Sequence, residues 1–310
     1  MQTSSFIFMA CFLLVSFLAQ SQSNEGREFW LGFMQHRNVN NNSKVVMITS
    51  KTNTSGTVRV PLKGWSQDFT VAANQVSLVF LPAYTETLGS EIVTENGVQI
   101  TTQDPVSVYS HQYHSYRSEA TVVLPTPSLG REYFAMTYNG QWHQGQPYPP
   151  EFLIVAVEDG TEVTITPTAR TERGNLPPFT ITLEAGETYQ VRTADPLEDL
   201  TGSHVIGNKD FAFFGGSTWA EVPSGCAHKD NLLEQMHPVP TWGKQFVTVP
   251  HKMLNRDIFR ILAAEDNTIV EVQDSNPITY TLNAGEFIEY EQSEASYITS
   301  NRPIQVAQFI

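Results

Sequence analysis

His111 and His114 stand three positions apart in His111-Gln112-Tyr113-His114, the closest approach in this chain to a pair of imidazole metal ligands. The surrounding residues read as a strand, where positions i and i+3 project from opposite faces, so the two could share an ion only if the chain turned there. A solvated strand end is the simpler reading, and His143 and His228 add no ligand pattern. Glu158-Asp159 and Glu265-Asp266 each join two carboxylates, the raw material of a glycosidase pair or a calcium site. Both occupy the same place in an internal repeat of the chain, and a catalytic pair has no reason to be copied, so turn chemistry accounts for them. The sequence contains no nucleophile elbow, phosphate loop, dinucleotide fingerprint or HExxH helix. These residues call for no catalytic group, no metal and no cofactor.

Binding chemistry has better material. Trp30 and Trp242 open strands and belong in a core, whereas Trp65 and Trp142 lie in polar, turn-rich stretches. The run GQWHQGQPYPP carries Trp142, His143 and Tyr148, rings that could stack on a ligand or close on themselves as a packed loop. Asp230, Glu234 and Gln235 form a second polar group in the stretch from Cys226 to Trp242. They are expected to satisfy free backbone groups at strand ends first and to form a contact surface second. The candidate ligand contacts are therefore Trp142, His143, Tyr148, Asp230, Glu234 and Gln235.

The elements that must position these residues follow from composition and pattern. Of 310 residues, 18 are Lys or Arg and 32 are Asp or Glu, a net charge of -14 that repels phosphate backbones and excludes nucleic acid as a partner. The low charged fraction, with abundant Thr, Ser, Asn, Gln, Gly and Pro, favours sheets joined by turns over helices. Phe6 to Leu18 is an uncharged apolar run that exits through Ala19-Gln20-Ser21, the pattern of a signal peptide over 1–21, although no basic residue precedes it. It is too short to span a bilayer comfortably, and no other transmembrane span is expected. Removing it places the rest of the chain outside the cytoplasm, secreted or at the cell surface. Cys11 leaves with it, so Cys226 has no internal partner and reads as a small buried hydrophobe. Asn41 and Asn53 begin sequons that a glycosylating cell would use.

One order of segments is written three times. Gly26-Arg27-Glu28-Phe29, Gly130-Arg131-Glu132-Tyr133 and Gly243-Lys244-Gln245-Phe246 each open a copy. An apolar strand, a tight turn and a Thr/Val strand follow, from Val45, Phe152 and Phe259; Asp159-Gly160 and Asp266-Asn267 suit a turn that needs positive φ. Strand pairs follow from Phe69, Phe179 and Tyr280, and again from Gly97, Ser203 and Ser296. The expected fold is all-β: three repeated β-sandwich-like modules of about seven short strands each. Their bounds are 24–118, 130–222 and 242–310, with a connector at 223–241. Asn231 and Glu234 stand in capping-box spacing, which predicts one short helix in that connector, over Lys229 to Met236. The apolar run Phe211-Ala212-Phe213-Phe214 is expected to be covered on both faces. The third copy stops at Ile310 without a connector, as the front portion of a longer protein would.

The run from Leu129 to Tyr138, the turns VEDGTEVTITP and AAEDNTIVEV, LEAGETYQV, DLTGSHVIGNKDFAFFGG from Asp199 and DNLLEQMHPVPTWGKQFVTVP from Asp230 together resemble the N-terminal domain of the IgGFc-binding protein family. The most specific part runs from Asp230 through Glu234-Gln235 to Trp242-Gly243. The resemblance implies an extracellular, non-enzymatic binding or adhesion module with a protein or glycan ligand, and carries over no catalytic residue. Relatives often have cysteines around the Glu-Gln connector, whereas here Cys226 is alone and Trp219 lies near one such place. The exit AQSQSNEG is similar to that of bacterial secreted proteins, so antibody binding is not carried over with the family's name. Two other classes compete: a lectin-like or glycosidase-accessory sandwich, which would need exposed rings at Trp65 or Trp142, and a hydrolase using an unrecognised carboxylate pair.

Overall fold

The computed structural model describes residues 23–252 and 256–309, so the segment expected as a signal peptide lies outside the described residues. In the first unit come β1 (Glu25–Leu31), β2 (Ser43–Thr49), β3 (Thr54–Val60), β4 (Trp65–Val71), β5 (Val76–Phe80), β6 (Val93–Thr94), β7 (Val98–His114) and β8 (Arg117–Val123). The second holds β9 (Gly130–Phe134), β10 (Gln141–His143), β11 (Gln146–Tyr148), β12 (Pro150–Ala156), β13 (Thr161–Thr166), β14 (Phe179–Leu183), β15 (Thr188–Arg192), β16 (His204–Ala220) and β17 (Asp230–Gln235). The third has β18 (Gly243–Thr248), β19 (Asp257–Ala263), β20 (Thr268–Gln273), β21 (Ile278–Leu282), β22 (Phe287–Gln292) and β23 (Ser296–Phe309).

The pairing order β4-β3-β7-β2-β5 of the first unit recurs as β14-β13-β16-β12-β15 and as β21-β20-β23-β19-β22. The opening strands β1, β9 and β18 pair with the long strands β7, β16 and β23. In the first unit, the front half of β7 pairs with β3 and β1, and its rear half with β2 and β8. One bent strand therefore serves two sheets, and the unit is a sandwich closed nearly into a barrel. The bend falls at a bulge: the partner of Gly26 is Val106, but that of Glu28 is Thr101. The same jump separates Gly130↔Phe211 from Glu132↔Ile206, and Gly243↔Ile304 from Gln245↔Thr299. Pro105 and Pro303 fall within the bulges, where a missing N–H removes no ladder bond.

The repeated acids prove to be turn residues. The Asp159 and Asp266 carboxylates each accept a backbone N–H, from Ala185 and Ala284, at 3.0 Å. The Thr161 and Thr268 hydroxyls each donate to the carbonyl oxygen three residues back at 2.6 Å.

The connector departs from expectation. Lys229–Met236 is not helical: Asp230–Gln235 is β17, in which Asn231, Leu233 and Gln235 are buried in alternation. The edge of β16 offers a full row of backbone partners, which outweighs a local capping signal. The short helix of this connector is instead a single 3₁₀ turn at Val239–Thr241, matched by another at Thr126–Ser128. The connectors thus repeat as well, because β8 and β17 hold the same place beside β7 and β16. The glycine that opens each of the first two copies has its reason here: a Cβ on Gly26 would come within 2.3 Å of the Pro125 Cβ, and one on Gly130 within 2.5 Å of that of Pro238.

The units interlock. Every residue of β12 is buried, because Leu153 and Val155 enter the core of the first unit while Phe152 and Ile154 face that of the second. Phe211, Ala212, Phe213 and Phe214 are covered on both faces for the same reason. The Gly97 amide donates to the Gly186 carbonyl at 3.0 Å, joining the first unit to the β14–β15 turn of the second. Gly202 meets Gly285 in the equivalent place one unit later.

Candidate functional site

β16 ends in Ser217-Thr218-Trp219-Ala220, and Trp219 is 5% exposed where the second unit meets the β1–β2 loop and the β7–β8 hairpin of the first. Two rings of the predicted aromatic segment close on it. The chain folds there into the hairpin β10–β11, whose tight turn has Gln144 at φ 52° and Gly145 at φ 76°. His143 and Tyr148 present their rings edge-on to Trp219, each 5.2 Å away between centroids. Strand alternation sends Trp142 the other way, half exposed, with its Nε1–H donating to Asp195 Oδ1 at 3.2 Å. His143 and Tyr148 thus share a site, and Trp142 stands outside it.

Cations surround the same ring. The Arg37 guanidinium stacks 3.8 Å from the Trp219 centroid and 5.1 Å from that of Tyr148; Arg117 and Lys229 each lie 5.0 Å from Trp219. Lys229 is paired with Glu221 at 2.5 Å and also bonds Gln141 Oε1. Arg117 donates to Asn38 Oδ1 at 3.2 Å; burial and then the neighbouring Arg37 charge lower its pKa, with Asp230 opposing. Arg37 has no carboxylate in ion-pair contact among the described residues. The Nε–H groups of Arg37 and Arg117, Trp219 Nε1–H and the Gln141 amide are buried donors with no acceptor among the described residues. Behind them, His36 is held neutral: burial above all, and then His114, lower its pKa to about 4.

The predicted polar residues lie next door, where β17 packs along β8. Asp230 Oδ1 accepts the Ser118 amide at 3.2 Å, and Gln235 Oε1 accepts that of Leu124 at 2.8 Å. Thr121 Oγ1 accepts the Gln235 amide at 2.9 Å, so Asp230 and Gln235 stitch the second unit to the first. Glu234 accepts no backbone amide among the described residues and meets the first unit only through the Thr121 side chain. Its side chain opens into a cleft of about 430 Å³ that it shares with Glu119, His237, Gln308 and Phe309. The residue is exposed at the cleft mouth, and partial burial of its carboxyl against the walls pushes Glu234 up to about 7, with a hydrogen bond from the Thr121 side chain opposing. Burial, then the charges of Asp230 and Glu234, push Glu119 up to about 8. Asp230 is also raised by burial, against the pull of the Asn231 and Ser118 amides and Arg117.

The two histidines of the strand pair go to different neighbours: His111 Nε2 meets Ser118 Oγ at 2.8 Å, and His114 lies 6.2 Å from His36 between ring centroids. Cys226 is half buried, not the enclosed hydrophobe expected, because its segment runs along the wall of an open cleft with Asp257 and Ile258. Trp65 is half buried, packed against the core of the first unit. Arg37, Arg117, Trp219 and Glu119 carry no signal of this role in the sequence. Each basic residue looks like an ordinary loop charge, and Trp219 like the last residue of an apolar strand; only the meeting of two units gathers them.

The family described as IgGFc binding protein matches residues 119–310, which take in β9 through β23. The human IgGFc-binding protein is 27% identical over 252 residues, covering 79% of this chain and 4% of that protein. The chain therefore spans a small fraction of its curated relative. No solved structure matches it. Because the family's pattern runs over more than half of the chain, from the end of β8 through β23, the chain belongs to the IgGFc binding protein family.

Proposed function

We propose that this chain is an extracellular, non-enzymatic binding and adhesion protein that takes a protein or glycan ligand at the seam between its first two units. The observation that carries this reading is the group of buried, acceptor-free donors around Trp219, held between two interlocked sandwiches. Unused hydrogen-bonding capacity in a rigid frame suits recognition, because the donors are oriented before the ligand arrives. The name of the human relative and the leader-like segment at 1–21 support a binding role outside the cell. The test is biolayer interferometry of the exported, purified chain on immobilised mucin glycoprotein and on IgG Fc, run beside an assay for released reducing ends. Saturable binding without turnover supports the reading; turnover of any glycan substrate overturns it.

A second reading attaches to the cleft. Glu119 and Glu234, both raised toward neutral pH beside Asp230, have the protonation that a general acid for glycoside hydrolysis needs. The same turnover assay, repeated on Glu119→Gln, decides between the two.

A further inference from the structure

We propose that the Trp219 seam is a receptor for an acidic saccharide, whose sulfate or carboxylate group is held by Arg37 and Arg117 while its sugar ring lies on the exposed face of Tyr116. This rests on the binding function proposed for the seam and names its ligand class.

Charge is the first argument. In a chain of net charge -14, three cations converge on one indole. Lys229 has its own partner in Glu221, and the nearby Asp230 is engaged by the amides of Ser118 and Asn231. Arg37 and Arg117 remain as like charges against the same ring, with Asp230 partly offsetting the charge of Arg117. Such a pair is unfavourable unless an anion joins it.

Geometry is the second. The Arg37 guanidinium carbon lies 3.8 Å from the Trp219 centroid and 5.1 Å from that of Tyr148, two rings at 77° to each other, so the aromatic corner fixes the position of a group whose fork suits a planar or tetrahedral oxyanion. The unsatisfied atoms are N–H donors: Arg37 Nε, Arg117 Nε, Trp219 Nε1 and Gln141 Nε2. These enclosed donors leave the seam positive and short of acceptors, a surround that favours an acceptor-rich ligand at the pocket over an apolar one.

The third argument separates a sugar from an acidic peptide. Tyr116 is 82% exposed and lines the same pocket as Arg117, His143, Trp219, His228 and Lys229. A bare, wet aromatic ring beside an anion clamp suits the C–H face of a pyranose.

The test is isothermal titration of the purified chain with a heparin-derived hexasaccharide (sulfate), a hyaluronan hexasaccharide (carboxylate), chitohexaose (neutral), inorganic sulfate and hexaglutamate. The proposal expects salt-sensitive binding of at least one acidic saccharide and none of chitohexaose. Arg37→Gln and Arg117→Gln should each weaken binding by about tenfold or more, the loss of one charge-assisted hydrogen bond. Arg131→Gln, at an exposed pair with Asp210 away from the seam, should not. If an arginine variant fails to fold, Tyr116→Ala serves instead, since its exposed ring can be removed without disturbing the core. Equal binding of chitohexaose, tighter binding of hexaglutamate, binding of inorganic sulfate alone, or indifference to the seam variants overturns the proposal. Failure of every acidic saccharide while mucin or Fc still binds overturns the ligand class alone. Turnover overturns the binding reading itself.

Discussion

The Arg260 guanidinium on β19 donates to Asp199 Oδ2 across 2.7 Å and so ties the third unit to the second. It also donates to the Thr137 carbonyl at 2.8 Å, to Thr201 Oγ1 at 2.9 Å and to Glu289 at 2.8 Å. In the preceding copy the corresponding position is Leu153, which buries in the first unit's core. One seam is closed by an apolar side chain at this point and the next by a buried charge network. Arg260→Ala leaves Asp199 enclosed without its counter-charge and should cost about 3–5 kcal/mol in denaturant unfolding. Arg260→Leu combined with Asp199→Ala should recover much of that loss. A single variant as stable as the parent would show that the network contributes nothing to the seam.

The carboxyls of the two seams respond to pH in opposite senses. Burial alone would raise Asp199, but Arg260 and the donors of Thr137 and Thr201 hold it below the ordinary carboxylate range. A depressed folded value gives stability that is present above about pH 4, the unfolded value, and lost as pH falls through the folded one. Glu119, raised by burial to about 8, and Glu234, raised by burial to about 7, act the other way. Their contribution is complete below the unfolded value near about pH 4.3 and is lost as pH climbs to about 8. Melting temperature should therefore decline between about pH 5 and about pH 9, and Glu119→Gln should flatten that limb without changing the acid limb. An unchanged alkaline slope in Glu119→Gln would remove Glu119 as its source.

The threefold repeat is legible in the amino-acid order itself, as are the alternation that makes strands and the turn role of Asp159 and Asp266, because each is a local pattern with a local cause. The helix expected at Lys229–Met236 fails for a non-local reason: the capping signal of Asn231 and Glu234 is weaker than the open edge of β16, to which the segment returns across a long loop. The Trp219 seam is half legible. His143 and Tyr148 announce themselves as aromatic residues in a polar loop, whereas Arg37 and Arg117 acquire meaning only where the β1–β2 loop and β8 meet Trp219 of the next unit.

Gly202 and Gly225 both have positive φ, 86° and 90°, but of the two Gly202 alone has the backbone of another glycine against it. A Cβ on Gly202 would fall 2.0 Å from the Gly285 carbonyl oxygen, whereas one on Gly225 would meet nothing within 4 Å. Gly225→Ala should therefore cost about 1 kcal/mol, from backbone strain alone. Gly202→Ala adds a clash between two backbones and should cost about 3 kcal/mol or more, lowering the melting temperature of the third unit first. Hydrogen exchange of β19 and β22 in the two variants measures this. Equal protection in both would mean that the glycine contact does not hold the units in place.

Neighbours on β17, Glu234 and Gln235 separate a surface role from a structural one. The Gln235 side chain is wholly buried and supplies the acceptor for the Leu124 amide, so Gln235→Ala leaves that amide without a partner inside the junction. Its cost should be about 1–3 kcal/mol, the penalty of an unsatisfied buried donor. Glu234 caps no backbone group among the described residues, and its carboxyl, raised to about 7 by partial burial, is disfavoured in its charged form. Glu234→Ala should therefore be neutral or stabilising at about pH 8, where the native carboxylate is ionised in unfavourable surroundings and adds repulsion to Glu119. Urea unfolding of both variants at about pH 5 and about pH 8 gives the comparison. Gln235→Ala should lose the same amount at either pH, whereas any gain in Glu234→Ala should appear only on the alkaline side. A loss in Glu234→Ala as large as that in Gln235→Ala would mean that the glutamate supports the junction directly and that the cleft is a structural feature of the fold.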